Sequence, residues 1–118
     1  MKRLLILMTL ALMPQTASSQ DAAGELAQAV FNNMAVNYMC RNAIGDAHYL
    51  AARTIAKDTL APVVGADQAA LYVDEMDRKF KADPRAKNPN SEASQCYTMK
   101  SDAMHAIEVA RTKFNAAK

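Results

Sequence analysis

Cys40 and Cys96 are the only cysteines in the chain, and they stand 56 positions apart. Two cysteines in an oxidising compartment allow a single intramolecular disulfide, and it would tie the early part of the chain to its late part. The chain-entropy estimate for a loop of that length is about 4 kcal/mol. A small domain has only about 5–15 kcal/mol in total, so this one bond could decide whether the domain stays folded. Neither a CxxC spacing nor a neighbouring histidine favours redox or metal chemistry at these thiols.

The N-terminal residues supply the compartment. Met1, Lys2 and Arg3 make a positive start, and Leu4 to Met13 is an uncharged apolar run of ten. Pro14 breaks that run, and Ala17-Ser18-Ser19 offers small residues at a cleavage site. This is the layout of a secretory signal peptide, predicted over residues 1–19. Ten residues of helix span about 15 Å, half of the roughly 30 Å needed to cross a bilayer, so no membrane anchor is expected there. The expectation is a periplasmic or secreted product, residues 20–118, forming one domain.

Losing Lys2 and Arg3 with the leader leaves 12 basic and 12 acidic residues, a formal net charge of zero. A neutral chain gives no electrostatic case for nucleic acid as a partner. The same chain is alanine-rich, with glycine at positions 24, 45 and 65 alone, and its β-branched residues never cluster. That is helix composition.

Apolar spacing predicts four helices. The first spans Ala23 to Asn42, with Leu26, Val30, Phe31, Met34 and Tyr38 on one face and Cys40 in its last turn. A break at Gly45 and an N-cap at Asp46 open a second from Ala47 to Leu60, whose inner face is read as Leu50, Ala51 and Ile55, ended by Pro62. One kinked helix from Ala23 to Leu60 is the alternative. Asp67 caps a third from Gln68 to Lys81, with Ala69, Val73, Met76 and Phe80 inward. A proline- and asparagine-rich loop follows, and a fourth helix from Ser91 to Asn115 carries Cys96, Met99, Ala103, Ala106, Ile107, Ala110 and Phe114. The fold expected is an all-α three- or four-helix bundle, closed by Cys40–Cys96.

No catalytic residues are expected. Nucleophilic chemistry needs a serine or cysteine beside a base and an orienting group, and no such set is spelled out. Asp74 and Asp77 are read as a solvated helix face. His105 and Glu108 share a helix face, but a zinc signature needs three or four ligands at motif spacing. The methionines Met34, Met39, Met76, Met99 and Met104 are scattered singly, unlike a soft-metal run. No metal and no cofactor are expected.

Residues 78–87 hold five cations against one anion, behind a helix rich in Asp67, Asp74, Glu75 and Asp77. Acids early and bases late complement the helix dipole. A functional reading makes Arg85 and Lys87 a basic contact for an acidic partner. Tyr49, Tyr72 and Tyr97 border the stripes, and tyrosine is favoured at interfaces. In size, helicity and one long-range disulfide the chain resembles the small periplasmic acid-stress chaperones and helical toxin-immunity proteins, without a motif that would carry residues over. The function expected is non-enzymatic: binding another protein in the envelope, as inhibitor, immunity factor, chaperone or secretion accessory. A small-molecule or metal carrier using His48 or His105 is the alternative, and an enzyme the last.

Overall fold

The structure is a computed structural model that describes residues 14–87 and 92–118. Most of the predicted leader and the predicted helix start at Ser91 lie outside those residues. Within them the protein has five α-helices, one 3₁₀ turn and no strand. Helix α1 spans Pro14–Met39, α2 is the short Arg41–Ile44, α3 spans Asp46–Val64, α4 spans Ala66–Ala82, and α5 spans Ala93–Ala116. The 3₁₀ turn covers Pro84–Lys87, between α4 and α5.

Gly45 and Gly65 set the two tight reversals. Each has a φ above +90° with ψ near 150°, a backbone conformation open essentially to glycine alone. Gly45 donates its N–H to the Arg41 carbonyl and Gly65 to that of Ala61, so each ends one helix and opens the next. This excludes the single kinked helix from Ala23 to Leu60. It also shifts both predicted caps, because Asp46 and Asp67 lie inside the first turns of α3 and α4, after the glycines.

Pro62 does not end α3, as its ring suggested it would; it lies inside the last turn. A proline there removes only one hydrogen bond, near the end where few donors follow, and Gly65 completes the termination. The first helix is likewise longer than the spacing predicts, running upstream of Ala23 to Pro14.

Contacts between named side chains fix the helix directions. Arg53 meets Asp74, and Tyr49 meets Asp77, so α3 and α4 are antiparallel. Cys40 joins Cys96, and Glu25 meets Lys113 near the far end, so α1 and α5 are antiparallel too. His48 packs on Tyr97, and Arg111 bonds Thr59, so α3 and α5 run the same way. Helix α1 touches α3 on one flank and α5 on the other, and α4 packs chiefly on α3.

The core follows α1. Val30, Met34, Tyr38, Tyr49, Ala52, Ala56, Leu60, Ala69, Val73 and Ile107 form one buried cluster. At 25 cal/mol per Å², burying a Leu or Val side chain contributes about 1.5–3 kcal/mol, which makes this the main stabilising body of the fold. The inner face of α3 is Tyr49, Ala52, Ala56, Thr59 and Leu60. It is rotated by about one residue from the expected Leu50–Ala51–Ile55 face. Leu50 is 59% exposed and Ile55 half-buried. An alanine-rich helix offers two stripes of similar apolar weight, and Tyr49 outweighs Leu50 because its ring reaches Tyr38, Phe80 and a hydrogen-bond partner.

Candidate interaction surface

The Cys40–Cys96 disulfide is present, with an S–S distance of 2.08 Å and Cα atoms 5.8 Å apart. Both cysteines are fully buried, so the bridge fixes the end of α1 to the first turn of α5 from inside.

A second cluster at this end of the molecule holds α4. The Asp77 carboxylate is buried between α3 and α4. It accepts a 2.6 Å hydrogen bond from the Tyr49 hydroxyl and pairs at 2.8 Å with Lys81, one turn along the same helix. Arg53 of α3 stands 3.9 Å from the same carboxylate and bonds Asp74 at 2.9 Å. Around it Tyr38 stacks on Phe80 at 5.5 Å and meets Tyr49 edge-on at 5.1 Å. Arg41 lies over the Tyr38 ring, 4.0 Å from its centre, and bonds the Tyr38 carbonyl.

The electrostatics follow from this packing. Burial acts to raise the Asp77 pKa. Hydrogen bonds from Lys81 and Tyr49, with the charges of Lys81 and Arg53, overcome it and hold the carboxyl below its ordinary value. Tyr49 moves the other way: burial first, then its bond to Asp77 and that carboxylate's charge, push its phenol far above the usual value. Asp77 was expected on a solvated face with Asp74; only Asp74 is exposed. The signal was present in the sequence, because Ala69, Val73 and Asp77 repeat at i, i+4 and i+8, on one face of α4.

Directly outside this cluster lies the most exposed apolar surface of the hairpin. Leu50 and Leu71 are 59% and 61% exposed. Leu50 precedes Arg53 by one turn, and Leu71 precedes Asp74 by one turn. Because the helices are antiparallel, the two leucines bracket the Arg53–Asp74 ion pair, about 9 Å apart along the axis. An arginine anchored by a carboxylate between two exposed leucines is a surface of mixed apolar and directional character.

The other predicted positions do not gather here. Arg85 lies on the 3₁₀ turn with its guanidinium on Asp83, at 3.0 Å, and its backbone N–H on the same carboxylate. That pairing lowers the Asp83 pKa and raises that of Arg85. The Lys87 side chain lies outside the described part of the structure. Lys79 and Lys81 are paired with Glu75 and Asp77, so much of the basic run is neutralised locally.

His48 is half-buried and packs edge-on against Tyr97 at 6.0 Å, and His105 is exposed beside Glu108 on a shallow groove. Among the described residues no three His, Cys, Asp or Glu side chains converge as metal ligands. Met34 is buried, Met76, Met99 and Met104 are half-buried, and Met39 is exposed, spread over α1, α4 and α5. An open cleft of about 290 Å³ lies where Leu26, Pro62 and Phe114 meet, away from both histidines. No described helix is long and apolar enough to cross a membrane. No protein-family model, no curated protein and no solved structure matches the chain.

Proposed function

We propose that the protein is an exported, non-enzymatic helical domain that works by binding another protein, through the outer face of the α3–α4 hairpin. The observation that carries this reading is the pair Leu50 and Leu71, each about 60% exposed, bracketing Arg53–Asp74. Two large apolar side chains held out on packed helices lose little conformational freedom on association, and the ion pair between them supplies orientation. Zero net charge in residues 20–118 means that recognition rests on shape and on this local patch rather than on long-range attraction. Export is supported by the leader pattern of residues 1–19 and by the cross-link, which persists best outside a reducing cytosol. The basic turn at Arg85 is a secondary contact at most, since its charge is already met by Asp83.

Affinity capture from envelope extract with the mature oxidised protein tests the reading, run beside Leu50→Glu and Leu71→Glu. A specific protein retained by the parent and lost from both variants, while Arg85→Glu retains it, is the expected result. Equal capture by the parent and both leucine variants would overturn the assignment of the surface. Mass measurement of the exported product tests the leader, with cleavage after Ser19 expected.

A further inference from the structure

We propose that Asp77 is an acid-releasable latch: its carboxylate keeps α4 closed on α1 and α3 at neutral pH, and its protonation frees α4 while the Cys40–Cys96 bond keeps α1 and α5 together.

The geometry assigns the latch to one carboxylate. Both Asp77 oxygens are engaged, one by the Tyr49 hydroxyl of α3 and the other by Lys81. The charged and titratable groups facing it are Tyr49 and Arg53 from α3, Tyr38 from α1 with Arg41 of α2 stacked on its ring, and Asp74 and Lys81 from α4 itself. Of the two carboxylates, Asp77 alone is buried. When it takes a proton, exposed Lys81 loses its ion pair and Arg53 is left with Asp74 alone as its counter-charge, since lysine and arginine stay protonated throughout the acid range. Tyr49 then donates to a neutral carboxyl, a bond about half as strong as one to a carboxylate. The charge-assisted bonds that join α4 to α3 at this buried carboxylate are then weakened together, and the balance moves toward parting α4 from α3.

The sign follows from the direction of the shift. Asp77 is held below its ordinary pKa, so its contribution is complete above the unfolded value near 3.9 and is lost as the pH falls through the lower folded value. Among the described residues no buried carboxylate pairs with a cation across the α1–α5 seam. Its pairing of Glu25 with Lys113 is exposed at 3.4 Å, and the disulfide does not titrate. Acid therefore divides the molecule unevenly. Release of α4 would uncover the Tyr38, Tyr49 and Phe80 rings and separate Arg53 from Asp74. On the binding reading above, partner association would then be lost in acid; that corollary rests on that reading, whereas the latch itself does not.

Hydrogen exchange of the mature oxidised protein, corrected for intrinsic rates, tests the latch without any partner. Between pH 5 and pH 2.5, protection of the Ala69–Phe80 amides is expected to fall at least about tenfold, the equivalent of one pKa unit. Protection at Ala103–Ala110 should hold over the same range. In Asp77→Asn, α4 protection should be low already at pH 6 and should change little on acidification. Should that variant fail to fold, Tyr49→Phe keeps the carboxylate but removes one donor, and the acid transition of α4 should move to higher pH. Loss of α4 and α5 protection in a single step overturns the proposal. So does an acid transition that is undiminished in Asp77→Asn or unmoved in Tyr49→Phe.

Discussion

The two flanks of α1 are built differently. Toward α3 and α4 it presents Val30, Met34 and Tyr38, which meet Leu60, Tyr49, Val73 and Phe80 in a cluster of large side chains tied by the Asp77 network. Toward α5 the register set by Cys40–Cys96 places Asn33 opposite Ala103 and Leu26 opposite Ala110. Asn33 and Asn37 are both buried, and Asn37 donates to the Asn33 carbonyl at 2.7 Å and to its side-chain oxygen at 3.1 Å. The Asn37 side-chain oxygen is buried without a partner among the described residues. A buried acceptor left unmet costs about 1–3 kcal/mol, and among the alanines of α5 only Ile107 adds a large, fully buried side chain to offset it. The α5 seam thus adds a covalent bond to the packing of Leu26 and Ile107, whereas the α3–α4 side is held by packing and charge.

The comparison breaks most readily at the disulfide. Cys40→Ala with Cys96→Ala should lower stability by about 4 kcal/mol in urea unfolding, the value of a 56-residue loop. A loss under about 1 kcal/mol would show that the α5 seam needs no staple. Next in size, Leu60→Ala removes a fully buried side chain from the opposite flank and should cost about 2–5 kcal/mol. Its loss should fall on α3 and α4 amides in hydrogen exchange, sparing the α1–α5 seam where the disulfide holds. At the turns, Gly45→Ala and Gly65→Ala force a side chain into a conformation costing about 1–3 kcal/mol, readable as a lower thermal midpoint. Tyr49→Phe should cost about 1–2 kcal/mol near neutrality, because Asp77 loses a buried donor. The parent should also weaken above about pH 10. The Tyr49 phenol is raised in the fold, so its contribution is complete below the unfolded value and lost as pH climbs toward the folded one. Tyr49→Phe should flatten that alkaline limb. The smallest effect belongs to Lys113→Ala, whose exposed pairing with Glu25 is worth at most about 1 kcal/mol.

Much of this fold was legible in the chain, for reasons that can be assigned. Stripes built from large residues were read correctly: Leu26, Val30, Met34 and Tyr38 on α1, and Ala69, Val73, Met76 and Phe80 on α4, are buried or half-buried as expected. Cys96, Ala103, Ile107 and Ala110 are buried on α5, while Ala106 on the same predicted stripe is exposed. Where alanine dominates, the period survives but the phase does not: Leu50, expected inward, is exposed, and Tyr49, expected at the border of the stripe, is buried. The Asp77 cluster was missed because polarity was allowed to outrank position: a carboxylate at i+8 from Ala69 falls on the inner face whatever its charge. The paired state of Arg85 was equally hidden, since charge counting along 78–87 does not show which of the five cations the single acid, Asp83, meets.

Local chemistry in the sequence was enough for the helical class and for the pairing of two lone cysteines, because each depends on neighbours or on there being one possible answer. The choice between a break at Gly45 and one kinked helix was decided by the fold, where Gly45 has a φ of 97°. Which face of α3 turns inward, which carboxylate loses its water and which leucines are left outside depended on packing between distant segments. Those choices compare nearly equal local alternatives, and only the partners brought by the rest of the chain separate them in free energy.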